Sequence, residues 1–305
     1  MSDNDLVVLG DSVMWGQGLQ IQDKSAALAA KTLSARFPGL QPVIIAHSGA
    51  VIGRSATCGA IVFPGEVPES CPSILQQIGA YSGDPQSVPI VLLNGGINDI
   101  DIRTILNPLT LPSDLSSDIQ QYCYQDMGFL LEQVKSRFSN STTRIVVTSY
   151  FPILSSASRL DLLAPFMEFM GAPLPSLVNT SALDFANPLV QKVIRLCLQF
   201  WQESSQALSN AVKAINVGTG PRCFFANVPF TESNSVFAPQ AWLWGIGPAP
   251  DFSPQDEVAA ARHPQCDMVF QDDFFAREQC YRASAGHPNV TGAQQFAQAI
   301  VSVIP

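Results

Sequence analysis

Four short stretches carry side chains that could do chemistry together. Gly10-Asp11-Ser12-Val13-Met14-Trp15-Gly16 supplies a hydroxyl, and Ser48-Gly49-Ala50-Val51-Ile52-Gly53-Arg54 supplies glycine amides. Gly96-Ile97-Asn98-Asp99 supplies a carboxamide, and Gly286-His287-Pro288-Asn289 supplies an imidazole. A hydroxyl beside an imidazole is a nucleophile with its base, and backbone and side-chain amides can hold the oxyanion that such a nucleophile creates. Each stretch also has a plainer reading. A Gly-Asp-Ser turn can simply cap a helix. A glycine after a strand can serve the backbone alone, Asn-Asp is ordinary turn composition, and a histidine before proline can lie idle on the surface. Their order along the chain, each at the end of an apolar run or the start of a helix, is what points to one site.

The elements that must position them follow from the hydrophobic pattern. Leu6–Leu9, Val43–Ala46, Ile90–Leu93, Arg144–Thr148 and Cys223–Ala226 are short apolar runs of the kind found in buried parallel strands. Helical spacing marks Lys24–Phe37, Leu115–Phe138, Leu189–Ile215 and Asn289–Ile304; in the last, Val290, Ala293, Phe296, Ala297, Ile300 and Val301 share a face. Strands alternating with helices predict right-handed βαβ units and a parallel sheet covered on both faces. Ligands in such a sheet bind at the carboxyl ends of the strands, where the four stretches fall. Two segments break the rhythm, at about 155–187 and 230–285, and loops of that length are usually lids or binding walls. The expected organisation is one domain over 1–305 bearing these two inserts.

The ordered set resembles the GDSL lipase and esterase family, the SGNH hydrolases. The first block of that family, G-D-S-x-x-x-G, is matched from Gly10 to Gly16, and its third, G-x-N-D, from Gly96 to Asp99. The second block pairs an Asn with an oxyanion Gly five residues later. Here that Gly is Gly53, with Ser48 in the Asn-like place and Gly49 as the competing choice. The last block, D-x-x-H-P, reads Ser284-Ala285-Gly286-His287-Pro288. The resemblance implies a flavodoxin-like three-layer α/β/α fold with a five-stranded parallel sheet. It also implies ester hydrolysis through an acyl-enzyme on Ser12, with His287 as base and the N–H groups of Ser12, Gly53 and Asn98 as the oxyanion hole. No metal or organic cofactor is called for, and His47 and His263 form no ligand cluster. His47 reads as a packed or edge residue.

Position 284 departs from the pattern. The family places an Asp there, which orients the imidazole and stabilises the imidazolium. Serine brings no charge. Three accounts stay open: the Ser284 carbonyl or hydroxyl accepts the Nδ1–H and a Ser-His dyad operates; another acid, such as Asp267, Asp272 or Asp273, reaches the ring; or catalysis is impaired.

Composition narrows the partners. Charged residues make up 13% of the chain, about half the usual share of roughly 25%. With 16 basic and 25 acidic side chains the formal net charge is −9, so a nucleic-acid backbone or an anionic membrane surface would be repelled. No run of eighteen apolar residues predicts a membrane span. No basic segment leads into an apolar one at the N-terminus, so the protein is expected to be intracellular or to have lost a leader. Cys58 with Cys71, and Cys266 with Cys280, bracket short loops and suit disulfides in an oxidising compartment, but the seven cysteines do not by themselves decide between these. Sparse charge and abundant Ser, Gln and Pro lean toward a secreted or periplasmic protein. Cys197 reads as a buried thiol.

The expected partner is a small or lipid-like ester. Leu160, Leu162, Leu163, Phe166, Met167, Phe169, Met170, Trp242, Leu243 and Trp244 could wall an apolar acyl site, or could equally pack into the core. Arg54 could meet a substrate anion or a surface carboxylate. The same catalytic residues would serve a carbohydrate acetylesterase or an acyltransferase, and a non-catalytic lipid- or carbohydrate-binding relic is the alternative outside enzymes.

Overall fold

The structure is a computed structural model and describes residues 4–54, 58–59, 63–172, 187–218, 220–249 and 251–305. Its strands are β1 (Asp5–Leu9), β2 (Gln41–Ile44), β3 (Ile90–Leu93), β4 (Arg144–Thr148) and β5 (Cys223–Ala226). They pair in parallel in the order β2-β1-β3-β4-β5. Leu6, Val7, Val8 and Leu9 stand beside Ile90, Val91, Leu92 and Leu93 in register, and all eight side chains are fully buried. Burial on both faces is why these strands are continuous Val, Ile and Leu rather than an alternating pattern.

The helices are α1 (Ser12–Trp15), α2 (Ser25–Leu33), α3 (Ile74–Ala80), α4 (Ile97–Ile100), α5 (Ile102–Leu106), α6 (Pro112–Ile119), α7 (Met127–Arg137), α8 (Leu163–Phe169), α9 (Pro188–Ile215), α10 (Ala259–Val269), α11 (Phe274–Tyr281) and α12 (Val290–Val303). α2 and α12 pack on each other and on the strands, while α3, α7 and α9 pack together against β1 and β5. This is the flavodoxin-like three-layer α/β/α arrangement that the alternation of strands and helices implies. The long α9 buries Val190, Val193, Cys197, Phe200, Leu208 and Val212 along one stripe, and Pro188 at its first turn follows the Asn187 cap.

Four elements differ from the sequence expectation. The helix expected over Lys24–Phe37 is α2, which ends at Leu33. β2 begins and ends two residues early, and its side chains are mostly half-buried. It is the sheet edge, and the N–H groups of both Ile45 and Ala46 turn in to the one carbonyl of Val8, which ends the ladder before the apolar run does. The helix expected over Leu115–Phe138 starts at Pro112 and carries a π-helical turn, Gln120–Asp126, between α6 and α7. The segment 230–285 is more ordered than a loop, since it contains α10 and α11 joined by the Cys266–Cys280 disulfide. Of the other insert, 155–187, residues 173–186 lie outside those described.

A second disulfide joins Cys58 and Cys71, and Cys123, Cys197 and Cys223 are buried free thiols. Among the described residues no helix is long and apolar enough to cross a membrane. Cys266 and Cys280 are fully buried against Val269, Phe270 and Tyr281, in a small apolar cluster separate from the main core. The disulfide closes a loop with a sequence separation of 14. Replacing both cysteines by serine should therefore cost about 3 kcal/mol of stability, read as a lower urea midpoint. An unchanged midpoint would show that packing alone holds α10 to α11.

Candidate active site

The turn after β1 is built around a buried acid. Gly10 has φ +140°, and a side chain there would collide with the Asn94 carboxamide. Only glycine gives this backbone shape without strain. Asp11 then caps α1: its Oδ1 accepts from the Val13 N–H at 2.8 Å and from Asn94 Nδ2 at 2.9 Å. Its Oδ2 accepts from the Tyr150 hydroxyl at 2.8 Å. The Gly10 N–H and carbonyl are both held by the Gln77 carboxamide, at 2.8 and 3.0 Å. Burial pushes the Asp11 carboxyl above its ordinary range, and the three hydrogen bonds oppose that shift. Ser12 follows at the first position of α1, where a backbone N–H has no acceptor within the helix.

The other blocks are tied to this turn. Tyr150, at the end of β4, accepts from the Ile97 N–H at 3.2 Å while donating to Asp11, so it joins the Asn98 turn to the Ser12 turn. Asn98 Nδ2 donates to the Ala50 carbonyl at 3.0 Å, which leaves the amide one further N–H. Asp99 accepts the Ile52 N–H with both oxygens, at 3.1 and 3.0 Å. Burial raises its carboxyl to about 6, with the Ile52 and Gly53 amides pulling down and the charges of Asp126 and Asp11 pushing up.

His287 arrives from the far end of the chain. The antiparallel bridge between Leu243 and Pro288 holds its loop, flanked by the Trp244 N–H on the His287 carbonyl at 2.7 Å and the Gly286 N–H on the Trp244 carbonyl at 2.9 Å. Asn289 caps α12 through the Gly292 N–H at 3.0 Å. The result is a contact of 2.7 Å between His287 Nε2 and Ser12 Oγ, across 275 positions of sequence. Burial lowers the imidazole pKa to about 4. The carbonyl dipoles of Ser284, Ala285 and Ala283 work against this, while the charge of Arg262 adds to it. Nδ1 is buried without a hydrogen-bond partner.

Ser12, Asn98 and His287 line one cavity of about 200 Å³. Ile97, Ile102, Phe151, Ile153, Phe169 and Met170 supply its apolar wall, and Gln279 and Arg282 line it from α11 and the turn that follows. Gly49 and Ser48 lie on this wall and Gly53 does not. The Gly53 amide faces the Asp99 carboxylate instead. The insert residues divide: Phe169 and Met170 reach the cavity, whereas Leu163, Phe166 and Met167 are buried in the core and Trp242 packs on Phe230. Arg54 pairs with Asp126 at 3.1 Å and lies over the Phe129 ring. His47 is packed between the carbonyls of Ser48 and Phe63.

Ser284 is fully buried, and its Oγ donates to Asp256 Oδ2 at 2.5 Å. Asp267 bonds the Tyr281 hydroxyl, Asp273 caps α11, and Asp272 is exposed, so none of these three acids stands at Ser284. Asp256 carries no spacing cue in the sequence; it is one acid among many in the long insert. Tyr150, Asn94 and Gln77 match no block either: the first two follow strands, and Gln77 lies inside α3. Among the described residues no group of His, Cys, Asp and Glu could hold a metal ion.

No family model matches the chain, and no curated protein does. The solved structures that are distantly similar include two. One is a crystal structure of the lipase Lip_vut3 from a goat rumen metagenome, 10% identical, covering 73% of this chain and 80% of its own with a TM-score of 0.37. The other is 14% identical and covers 98% of this chain and 94% of its own with a TM-score of 0.38. Likenesses this faint leave the chemistry to be argued from the site itself.

Proposed function

We propose that the chain is a serine esterase of the GDSL/SGNH type, acting on carboxylic esters with an apolar acyl group. The observation that carries this reading is the 2.7 Å contact of His287 Nε2 with Ser12 Oγ on the wall of an apolar cavity. With the ring neutral and its proton on Nδ1, Nε2 takes the hydroxyl proton as Oγ attacks the ester carbonyl. The developing oxyanion is met by the Ser12 N–H, by the spare N–H of Asn98, and by the amide of Gly49, the glycine that lines the cavity. His287 then returns the proton to the leaving alcohol. Water, deprotonated by the same nitrogen, releases the acyl group from Ser12. The wall of Ile97, Ile102, Phe151, Ile153, Phe169 and Met170 suits the acyl chain.

A serine-reactive phosphonate should label Ser12 and no other serine, located by peptide mass spectrometry. A folded protein that stays unlabelled and does not cleave p-nitrophenyl esters would instead be a binding module. Asn98→Ala should lower kcat by roughly 10²–10³ with the fold intact. Medium-chain p-nitrophenyl esters should turn over faster than the acetate, and strict preference for acetylated sugars would contradict the apolar acyl site.

The pH profile gives a separate check. His287 must be neutral to act as base, and burial keeps it neutral down to about 4. The acid limb of kcat/KM should therefore lie near pH 4, below the ordinary histidine value of about 6.5. A limb near 6.5 would mean that the ring is hydrated in the working enzyme.

A further inference from the structure

We propose that Asp256, clamped by Arg262, is a positioning residue for His287 and acts through the Ser284 hydroxyl. This rests on the esterase reading and supplies the acid that position 284 lacks. The Asp256 and Arg262 side chains are both fully buried. Arg262 grips the carboxylate with two nitrogens, Nη2 to Oδ2 at 2.6 Å and Nη1 to Oδ1 at 3.2 Å. The same guanidinium reaches Glu66 Oε2 at 3.0 Å and the Tyr281 carbonyl at 2.9 Å. Glu66 is fixed in turn by Trp15 Nε1 at 2.9 Å and Gln17 Nε2 at 2.9 Å. Asp256 is thus rigidly placed before it meets Ser284.

Ser284 spends its hydroxyl proton on Asp256, and its carbonyl accepts the backbone N–H of His287 at 2.9 Å. The carboxylate therefore sets the turn Ala283–His287, whose carbonyls favour the protonated ring. The packing leaves no slack at this junction. A side chain on Gly18, whose φ is +82°, would run into Ser284, Asp256 and Trp244 together. The charged groups around the ring are few. Arg262 opposes the imidazolium, Asp256 and Glu66 offset Arg262, Lys24 lies beside Glu66, and Arg282 on the cavity wall is paired with Glu278 at 2.6 Å. Buried charges of this kind are little screened by salt. Without Asp256, Arg262 would face the ring less compensated, and the imidazolium formed during turnover would be disfavoured.

The test follows the rate of Ser12 phosphonylation against pH in the wild type, Ser284→Ala, Asp256→Asn and the double variant, with circular dichroism as the fold control. Ser284→Ala keeps the Asp256–Arg262 pair and decides the matter alone if Asp256→Asn does not fold. The expected result is that each single variant reacts roughly tenfold more slowly and that its acid limb moves about one unit lower. The double variant should be no worse than the slower single variant, because the two residues act as one chain. A purely structural loss would slow the reaction without moving the limb. Wild-type rate and limb in the folded variants, or additive losses in the double variant, would overturn the proposal while Ser12 labelling left the esterase reading standing. A wild type that does not label at all would remove both.

Discussion

A carboxylate sealed from water under the first helix is the constraint on which the site depends. Asp11 is fully buried, and its two oxygens are shared among the Val13 amide, the Asn94 carboxamide and the Tyr150 hydroxyl. An ionised group in that position is costly unless its lone pairs are filled, and three elements must come together to fill them. β1 brings the acid, the end of β3 brings Asn94, and the end of β4 brings Tyr150. Sheet order and site geometry are therefore one problem. The three strands are neighbours in the sheet, so satisfying one carboxylate aligns their carboxyl ends.

The rest of the site extends this principle of mutual satisfaction. Tyr150 hands the constraint to the Asn98 turn, Asp99 hands it to Ile52, and Asn98 hands it to Ala50. Each loop is held by a polar group of the next rather than by its own regular structure. That is a common solution where backbone must turn sharply beneath a ligand, because loops cannot rely on a ladder to satisfy their amides. The histidine loop is held by backbone from elsewhere, the strand-like segment Trp242–Trp244.

Much of this was legible in the residues, and the limits have physical causes. β1, β3 and β4 were readable because burial on both faces leaves a largely unbroken apolar run; β5 is the other sheet edge, with Phe224 and Phe225 half-buried, and its apolar run is no longer than its pairing. β2 was placed two residues late, since an edge strand is apolar for longer than it is paired. Ser12, Asn98 and His287 could be picked out because each sits at a strand end or helix start, where backbone geometry favours particular residue types. Block spacing pointed to Gly53 over Gly49, whereas Gly49 is the one that lines the cavity and Gly53 is turned toward the Asp99 carboxylate, a contact that spacing does not carry. Asp256 was invisible for a different reason. Its meaning comes from a buried guanidinium six positions on and a serine 28 positions on, and Asp256 shares no helix or strand with either of them.

The length of segment 230–285 suits a wall above the site, and the structure also runs it underneath. Its α11 end lines the cavity, while its Asp256 and Arg262 stand behind the turn that carries the histidine. Roof and foundation are one piece of chain. A transplant of the sheet and the four short blocks into another scaffold would leave the imidazole on unsupported ground. Remodelling the roof to enlarge the cavity would disturb that ground as well, so the shape of the cavity is bounded from below as well as from above.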